Sequence, residues 1–174
     1  MPDLGRSDLK TNKLQPRHPI KVVLEDIRSG LNIGSVFRTC DGFNMDEIIL
    51  SGYSVTPPHR EILKTALDAT HSVPWRYVDS LKDELIKLKA QGYTIAAVEQ
   101  THQSILLQDF NVLDHLPLVL VLGNEVHGVN DETLALADMG IEIPQSGIKH
   151  SLNISVCAGV VLWHCFQAML RTVR

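Results

Sequence analysis

Cysteine is scarce and unpaired in this chain, histidine has no metal-site spacing, and positive charge is not in excess. The 3 cysteines among 174 residues, Cys40, Cys157 and Cys165, form no CxxC pair and no even framework. That excludes a disulfide scaffold and a cysteine zinc site, and leaves reduced, buried thiols. The 8 histidines show neither HxxxH nor HExxH spacing, so no metal is expected. No long hydrophobic run is present: the longest, Val156 to Trp163, is far short of the roughly 20 residues that span a bilayer. The opening MPDLGRSDLKTNKLQPRH has no apolar signal core, which makes a cytoplasmic protein without a membrane partner the expectation. A net charge of −4 excludes nucleic-acid binding through bulk charge, though not through a local basic patch. GxGxxG, GK[ST] and GxSxG are all absent, which removes the Rossmann fingerprint, the P-loop and the nucleophile elbow. His150 beside Ser151 does not restore hydrolase chemistry, because neighbours at a helix start seldom face each other.

What is present is ordinary globular material, 44% hydrophobic and 21% charged, in a length that suits one domain with a sizeable core. Residues 1–19 read as an N-terminal basic arm. Residues 1–28 carry Arg6, Lys10, Lys13, Arg17, Lys21 and Arg28 against four acidic residues. Strand-like runs at 21–27, 47–50, 93–98, 118–122 and 141–143 alternate with helical patterns after Asn32, at 60–69, 80–90 and 130–138, and from Ser151 onward. The runs at 93–98 and 118–122 are apolar throughout, as strands covered on both faces must be. The pattern predicts an α/β fold: a parallel sheet with helices on both faces and ligand loops at the carboxyl ends of its strands.

Three of those loops hold the unusual chemistry. In the first, Asn32 can cap a helix whose spacing sets Gly34 and Arg38 on one face, so an amide, a bare glycine and a guanidinium could hold a phosphate or ribose. Capping, close helix packing and a solvated arginine explain the same residues equally well. The second, Leu122-Gly123-Asn124-Glu125-Val126-His127-Gly128, leads from a strand into a glycine-bounded turn with one carboxylate, where main-chain groups can read a ligand edge. The third is Ile143-Pro144 to Gly147, then Ser151, Leu152 and Asn153 ahead of a helix with almost no polar face. Ser151 is the expected cap, and a helix buried nearly all round points to a second subunit.

In this order the three stretches resemble the motifs of the SpoU or TrmH family of RNA ribose 2'-O-methyltransferases, in the SPOUT superfamily, over about residues 20–170. The resemblance implies a C-terminal deep trefoil knot, a homodimer, and S-adenosylmethionine as cofactor. It implies a cofactor cradle at Val98, Glu99, Leu122, Gly123, Ile143, Ser151 and Leu152, and a catalytic set of Asn32, Arg38, Glu125, Ser151 and Asn153. Val126, His127 and Cys157 depart from common family residues. The implied reaction is methylation of a ribose 2'-hydroxyl in tRNA or rRNA, and a compact chain with a short basic arm leans toward tRNA. Two other readings stay open: a non-catalytic RNA-binding protein that keeps the fold, and another nucleotide-dependent enzyme with an unknotted C-terminus.

Overall fold

The computed structural model describes residues 16–101, 104–148 and 151–172. Seven strands are present: β1 (His18–Glu25), β2 (Met45–Ser51), β3 (Trp75–Val78), β4 (Thr94–Val98), β5 (Ile105–Leu106), β6 (Leu118–Leu122) and β7 (Met139–Glu142). They form one sheet in the order β3-β2-β1-β6-β4-β7-β5, and every pairing is parallel. All the strands therefore deliver their carboxyl ends to one edge of the sheet. The helices are α1 (Gly30–Gly42), α2 (Arg60–Ala66), α3 (Ala69–Ser72), α4 (Leu81–Ala90), α5 (Asp131–Leu136) and α6 (Ile154–Thr172).

The period-2 alternation of the strands sorts their side chains into two cores. Ile20, Val22 and Leu24 of β1 and Leu118, Leu120 and Leu122 of β6 face one layer, packed by Ile33, Val36 and Phe37 of α1, Ile62 of α2, and Ala158, Val161 and Leu162 of α6. Val23, Ile49, Val119 and Val121 face the other, packed by Leu81, Leu85 and Leu88 of α4 with Leu134 and Leu136 around α5. Helices thus cover both faces, which is why β6, at the centre of the sheet, carries no polar residue.

Several boundaries differ from the sequence expectation. β1 ends at Glu25 because Asp26 turns into the left-handed region at φ 59°. β3 and β5 were not expected: the first is four residues behind Pro74, the second only two residues long. β7 starts earlier, at Met139, and leaves Ile143 in the following loop. Helix α1 begins at Gly30, with Ser29 rather than Asn32 as its cap: Ser29 Oγ accepts from the Asn32 N–H at 3.3 Å. Helix α6 begins at Ile154, not behind a Ser151 cap, because Asn153 Oδ1 accepts from the Ser155 N–H at 2.9 Å. Residues 1–15 of the expected basic arm, and His150, lie outside the described residues.

Within a single chain the last helix is not buried all round. Val156, Val160 and Trp163 are 52%, 39% and 46% exposed. Their 4- and 3-residue spacing lines them along one face, opposite the fully buried Ala158, Val161, Leu162 and Cys165. By length and composition alone this helix could cross a membrane, but its inner face is part of the core. Trp75 stands edge-on to Phe37, and Trp163 lies against Phe43 and Phe166, so both are packing residues.

Gly34 is a packing residue as well. A Cβ there would lie 2.4 Å from the Ile62 carbonyl oxygen and 2.1 Å from Thr65 Oγ1. It lets α1 and α2 touch backbone to backbone.

Two cations of the basic N-terminal region are used internally. Arg17 donates to the Met45 and Ser72 carbonyls. Lys21 pairs with Asp46 at 2.6 Å and Glu47 at 3.0 Å, Glu47 also holds Arg76, and Arg76 in turn holds Glu84 on α4. The Arg76 hydrogen bond keeps the mostly buried Glu84 carboxyl below the usual carboxylate range, against the opposing effect of burial. A depressed folded-state pKa means that this stabilisation is complete above the unfolded carboxyl pKa and is lost as pH falls through the folded value. Glu84→Gln should therefore cost about 1–2 kcal/mol at pH 7 and much less in acid, read from urea unfolding across that range. Gly34→Ala should cost about 1–3 kcal/mol at every pH, measured the same way.

Candidate active site

The first site residue is Asn32, in the first turn of α1. Because Ser29 caps the helix, the Asn32 side chain is free to point outward. Its Nδ2 donates to Glu125 Oε1 at 2.9 Å, and its Oδ1 accepts from Asn153 Nδ2 at 3.2 Å. One amide thus joins the start of α1 to two segments 93 and 121 residues away along the chain. Asn153 also accepts from the Ser155 N–H and hydroxyl, which locks it to the start of α6.

Glu125 sits on a turn built by its neighbours. Asn124 and Gly128 exchange two backbone hydrogen bonds of 2.9 Å, and Asn124 Oδ1 accepts from the Val126 and His127 N–H groups at 2.9 and 3.2 Å. A Cβ on Gly123 would lie 2.2 Å from the Gly128 carbonyl carbon and oxygen, so only glycine lets the turn close. Gly128, at φ +72°, lies against Glu99, whose Oε2 accepts from the Val129 N–H at 3.1 Å.

A cleft of about 370 Å³ opens behind this turn at the carboxyl edge of β4, β6 and β7. Val98, Glu99, Leu122, Gly123, Glu125, Ile143, Ser151 and Leu152, all anticipated from the sequence, line it. Asn32 and Asn153 are outside this lining: Asn32 meets Glu125 at its rim, and Asn153 meets Asn32. No described hydrogen bond or ion pair ties Arg38 to this cluster. It lies on the exposed side of α1 and has no ion-pair partner among the described residues.

The cleft also contains residues that spacing did not reveal. Glu142 holds Gln100 Nε2 at 2.9 Å and Ser104 Oγ at 3.0 Å, and with Glu99 and Glu125 it gives the lining three carboxylates. The described lining holds no lysine or arginine. The Cys157 thiol is pushed up to about 11, first by burial and then by the charge of Glu99, so it is a protonated wall residue rather than a nucleophile. Among the described residues no three His, Cys, Asp or Glu side chains converge as a metal site.

Apolar walls, close backbone approach and carboxylates match a nucleoside carrying positive charge, such as S-adenosylmethionine. An amide-linked carboxylate waits at the mouth. Fold and cleft define a parallel α/β protein with a nucleoside-sized site at the carboxyl edge of its sheet. The chain belongs to the SpoU rRNA Methylase family, whose sequence model matches residues 19–163. It is 30% identical over 164 residues to the tRNA (guanosine(18)-2'-O)-methyltransferase of Thermus thermophilus, covering 91% of this chain and 80% of that one. To the Escherichia coli K12 enzyme of the same name it is 33% identical over 155 residues, covering 86% of this chain and 64% of the relative. The chain thus spans less than two thirds of some relatives. Among solved structures, the Aquifex aeolicus TrmH/SpoU tRNA modifying enzyme superposes with a TM-score of 0.85 at 25% identity, covering 95% of this chain and 84% of that one.

Asp26 and Glu25, which no motif flags, hold these loops in register. Glu25 is 4% exposed and accepts from the Thr133 hydroxyl at 2.6 Å and the Asn130 N–H at 3.0 Å. The Asp26 carbonyl accepts from Asn124 Nδ2 at 2.9 Å, and its carboxylate accepts from Asn130 Nδ2 at 3.0 Å and the Tyr53 N–H at 2.8 Å. Asp26→Ala should lose both carboxylate bonds and raise the cost of the left-handed backbone, about 2 kcal/mol in all. Denaturant unfolding reads the loss, and faster amide exchange at Tyr53 locates it.

Proposed function

We propose that the protein is an S-adenosylmethionine-dependent methyltransferase acting on a ribose 2'-hydroxyl of RNA, with tRNA favoured as substrate. The observation that carries this reading is the Glu125–Asn32–Asn153 hydrogen-bonded cluster at the mouth of a carboxylate-lined cleft. The sequence relatives support tRNA as the class of RNA. A non-catalytic RNA-binding role would not require three loops to be tied to one amide in this way.

The cofactor would lie against Val98, Leu122, Gly123, Ile143 and Leu152, and would supply an electrophilic methyl group on positively charged sulfur. Glu99, Glu125 and Glu142 set a negative potential around that charge. Asn32, itself held by Asn153, orients the Glu125 carboxylate at the mouth, and Ser151 lies on the same lining. Fixing donor and acceptor in line is a large part of such a reaction. Arg38, protonated at any working pH, is suited to hold an RNA phosphate and stabilise the developing alkoxide rather than to remove a proton.

The same reading makes the active unit a cytoplasmic homodimer and the whole chain one catalytic domain. Val156, Val160 and Trp163 on α6 form the apolar face that a second copy would cover. Arg38, which no described contact ties to its own chain's cluster, would then serve across the interface. The C-terminal segment would thread through the sheet loops as a trefoil knot. Support for the threading comes from the way loops after β4, β6 and β7, together with residues Ser151 to Cys157, enclose one cleft.

Methyl transfer is tested with labelled S-adenosylmethionine and unmodified tRNA and rRNA. Label should appear in alkali-resistant dinucleotides, and its absence from both RNAs sinks the proposal. Arg38→Ala should lower transfer at least about 100-fold with cofactor affinity intact in calorimetry. Trp163→Asp should yield monomers in sedimentation and lose activity with them.

A further inference from the structure

The basic N-terminal region leaves one described cation uncommitted. Arg17 and Lys21 are bound within the fold, whereas Arg28 is exposed and makes no ion pair among the described residues. Its guanidinium carbon stands 5.3 Å from the ring centroid of Tyr53. Tyr53 is 72% exposed, the most exposed of the aromatic side chains among the large hydrophobics at the surface. Arg28 covers one of its faces.

This pair is displayed on an unusually rigid support. The loop after β1 and the loop after β2 are laced together residue by residue. The Asp26 N–H donates to the Ser51 carbonyl at 3.2 Å, and the Val55 N–H to the Ile27 carbonyl at 3.2 Å. Buried Ser54 accepts from the Ile27 N–H and donates to the Leu24 carbonyl, both at 2.8 Å. The Tyr53 N–H is held by Asp26, and Tyr77 donates its hydroxyl to the Gly52 carbonyl at 2.9 Å. Gly52, at φ +59°, leaves room for the Asp26 carboxylate, since a Cβ there would lie 2.0 Å from Asp26 Oδ1. The core gains nothing from a tyrosine ring in water, so fixing one there in advance serves a ligand that stacks. Asp26, which anchors Tyr53, also anchors Asn124 and Asn130, and so holds the platform in register with the Glu125 turn.

We propose that Arg28 and Tyr53 form a nucleobase platform, on which an unpaired RNA base flanking the methylated nucleotide stacks. The open face of Tyr53 takes the base, and the Arg28 charge meets the adjoining phosphate. Stacking on aromatic rings and guanidinium planes is how unpaired RNA is gripped without reading its sequence. The platform deepens the methyltransferase reading and rests on it for the identity of the neighbouring nucleotide.

Two measurements test it on the full-length protein: fluorescence anisotropy with short unpaired oligoribonucleotides, and steady-state methyl transfer to tRNA. Tyr53→Ala should weaken oligonucleotide binding and raise KM for RNA about tenfold, with kcat and cofactor affinity unchanged. Tyr53→Phe keeps the ring and should match wild type. Arg28→Ala should reduce the salt dependence of binding by about one phosphate contact. The platform is overturned if wild type does not bind the oligonucleotides, if Tyr53→Ala binds as wild type does, or if Tyr53→Phe is as impaired as Tyr53→Ala. Should wild type methylate RNA while Tyr53→Ala changes nothing, the platform alone falls. Should Tyr53→Ala lose oligonucleotide binding in a protein that transfers no methyl group, the methyltransferase reading alone falls.

Discussion

A single side-chain amide holds this site together. Asn32 donates to Glu125 and accepts from Asn153, and no other described contact joins the α1 start, the turn after β6 and the start of α6 at one point. The amide can do this only because Ser29 has taken the capping duty. A carboxylate in place of Asn32 could not donate to Glu125, and an alanine would leave Glu125 without its described partner. The chemistry at the mouth of the cleft and the local termination of two helices are therefore one problem of donors and acceptors, solved together.

The parallel sheet was legible because its signature is simple. Runs such as Leu118 to Leu122 are apolar throughout, and their burial on both faces leaves no other arrangement. The cleft lining was legible through family resemblance, since Gly123, Glu125 and Leu152 are far apart in sequence and nothing local brings them together. What could not be read depended on competition among side chains. Ser29 and Asn32 are both good caps, as are Ser151 and Asn153, and only the three-dimensional partners of each pair decide which one caps. Gly34 looked available to a ligand but is consumed by the approach of α2. Glu142, Asp26 and Glu25 belong to no motif, because their roles are set by the loops that pack over them.

Charge follows the same logic. A chain of net charge −4 cannot spread cations over its surface, and its strongest described ion-pair network is spent joining β1, β2, β3 and α4. Three carboxylates, Glu99, Glu125 and Glu142, line the cleft, where they suit a cationic ligand and repel bare phosphate. An anionic polymer and a cationic cofactor can thus occupy adjoining ground without competing. Arg28 and Arg38, both exposed and without an ion pair among the described residues, are free to deal with the polymer.

The strand order has a further consequence, for biosynthesis. β1 lies beside β6, so the middle of the sheet stays open until residues about a hundred positions later have been made. Asn32 waits longer still, for Asn153, 121 residues downstream. At roughly 5–20 residues per second, that leaves the amide without its second partner for about 6–24 s on the ribosome. For most of that interval the apolar faces of β1 and β2 are complete but uncovered on one flank. A nascent chain of this topology is therefore an aggregation-prone client for holding chaperones until its last helix emerges.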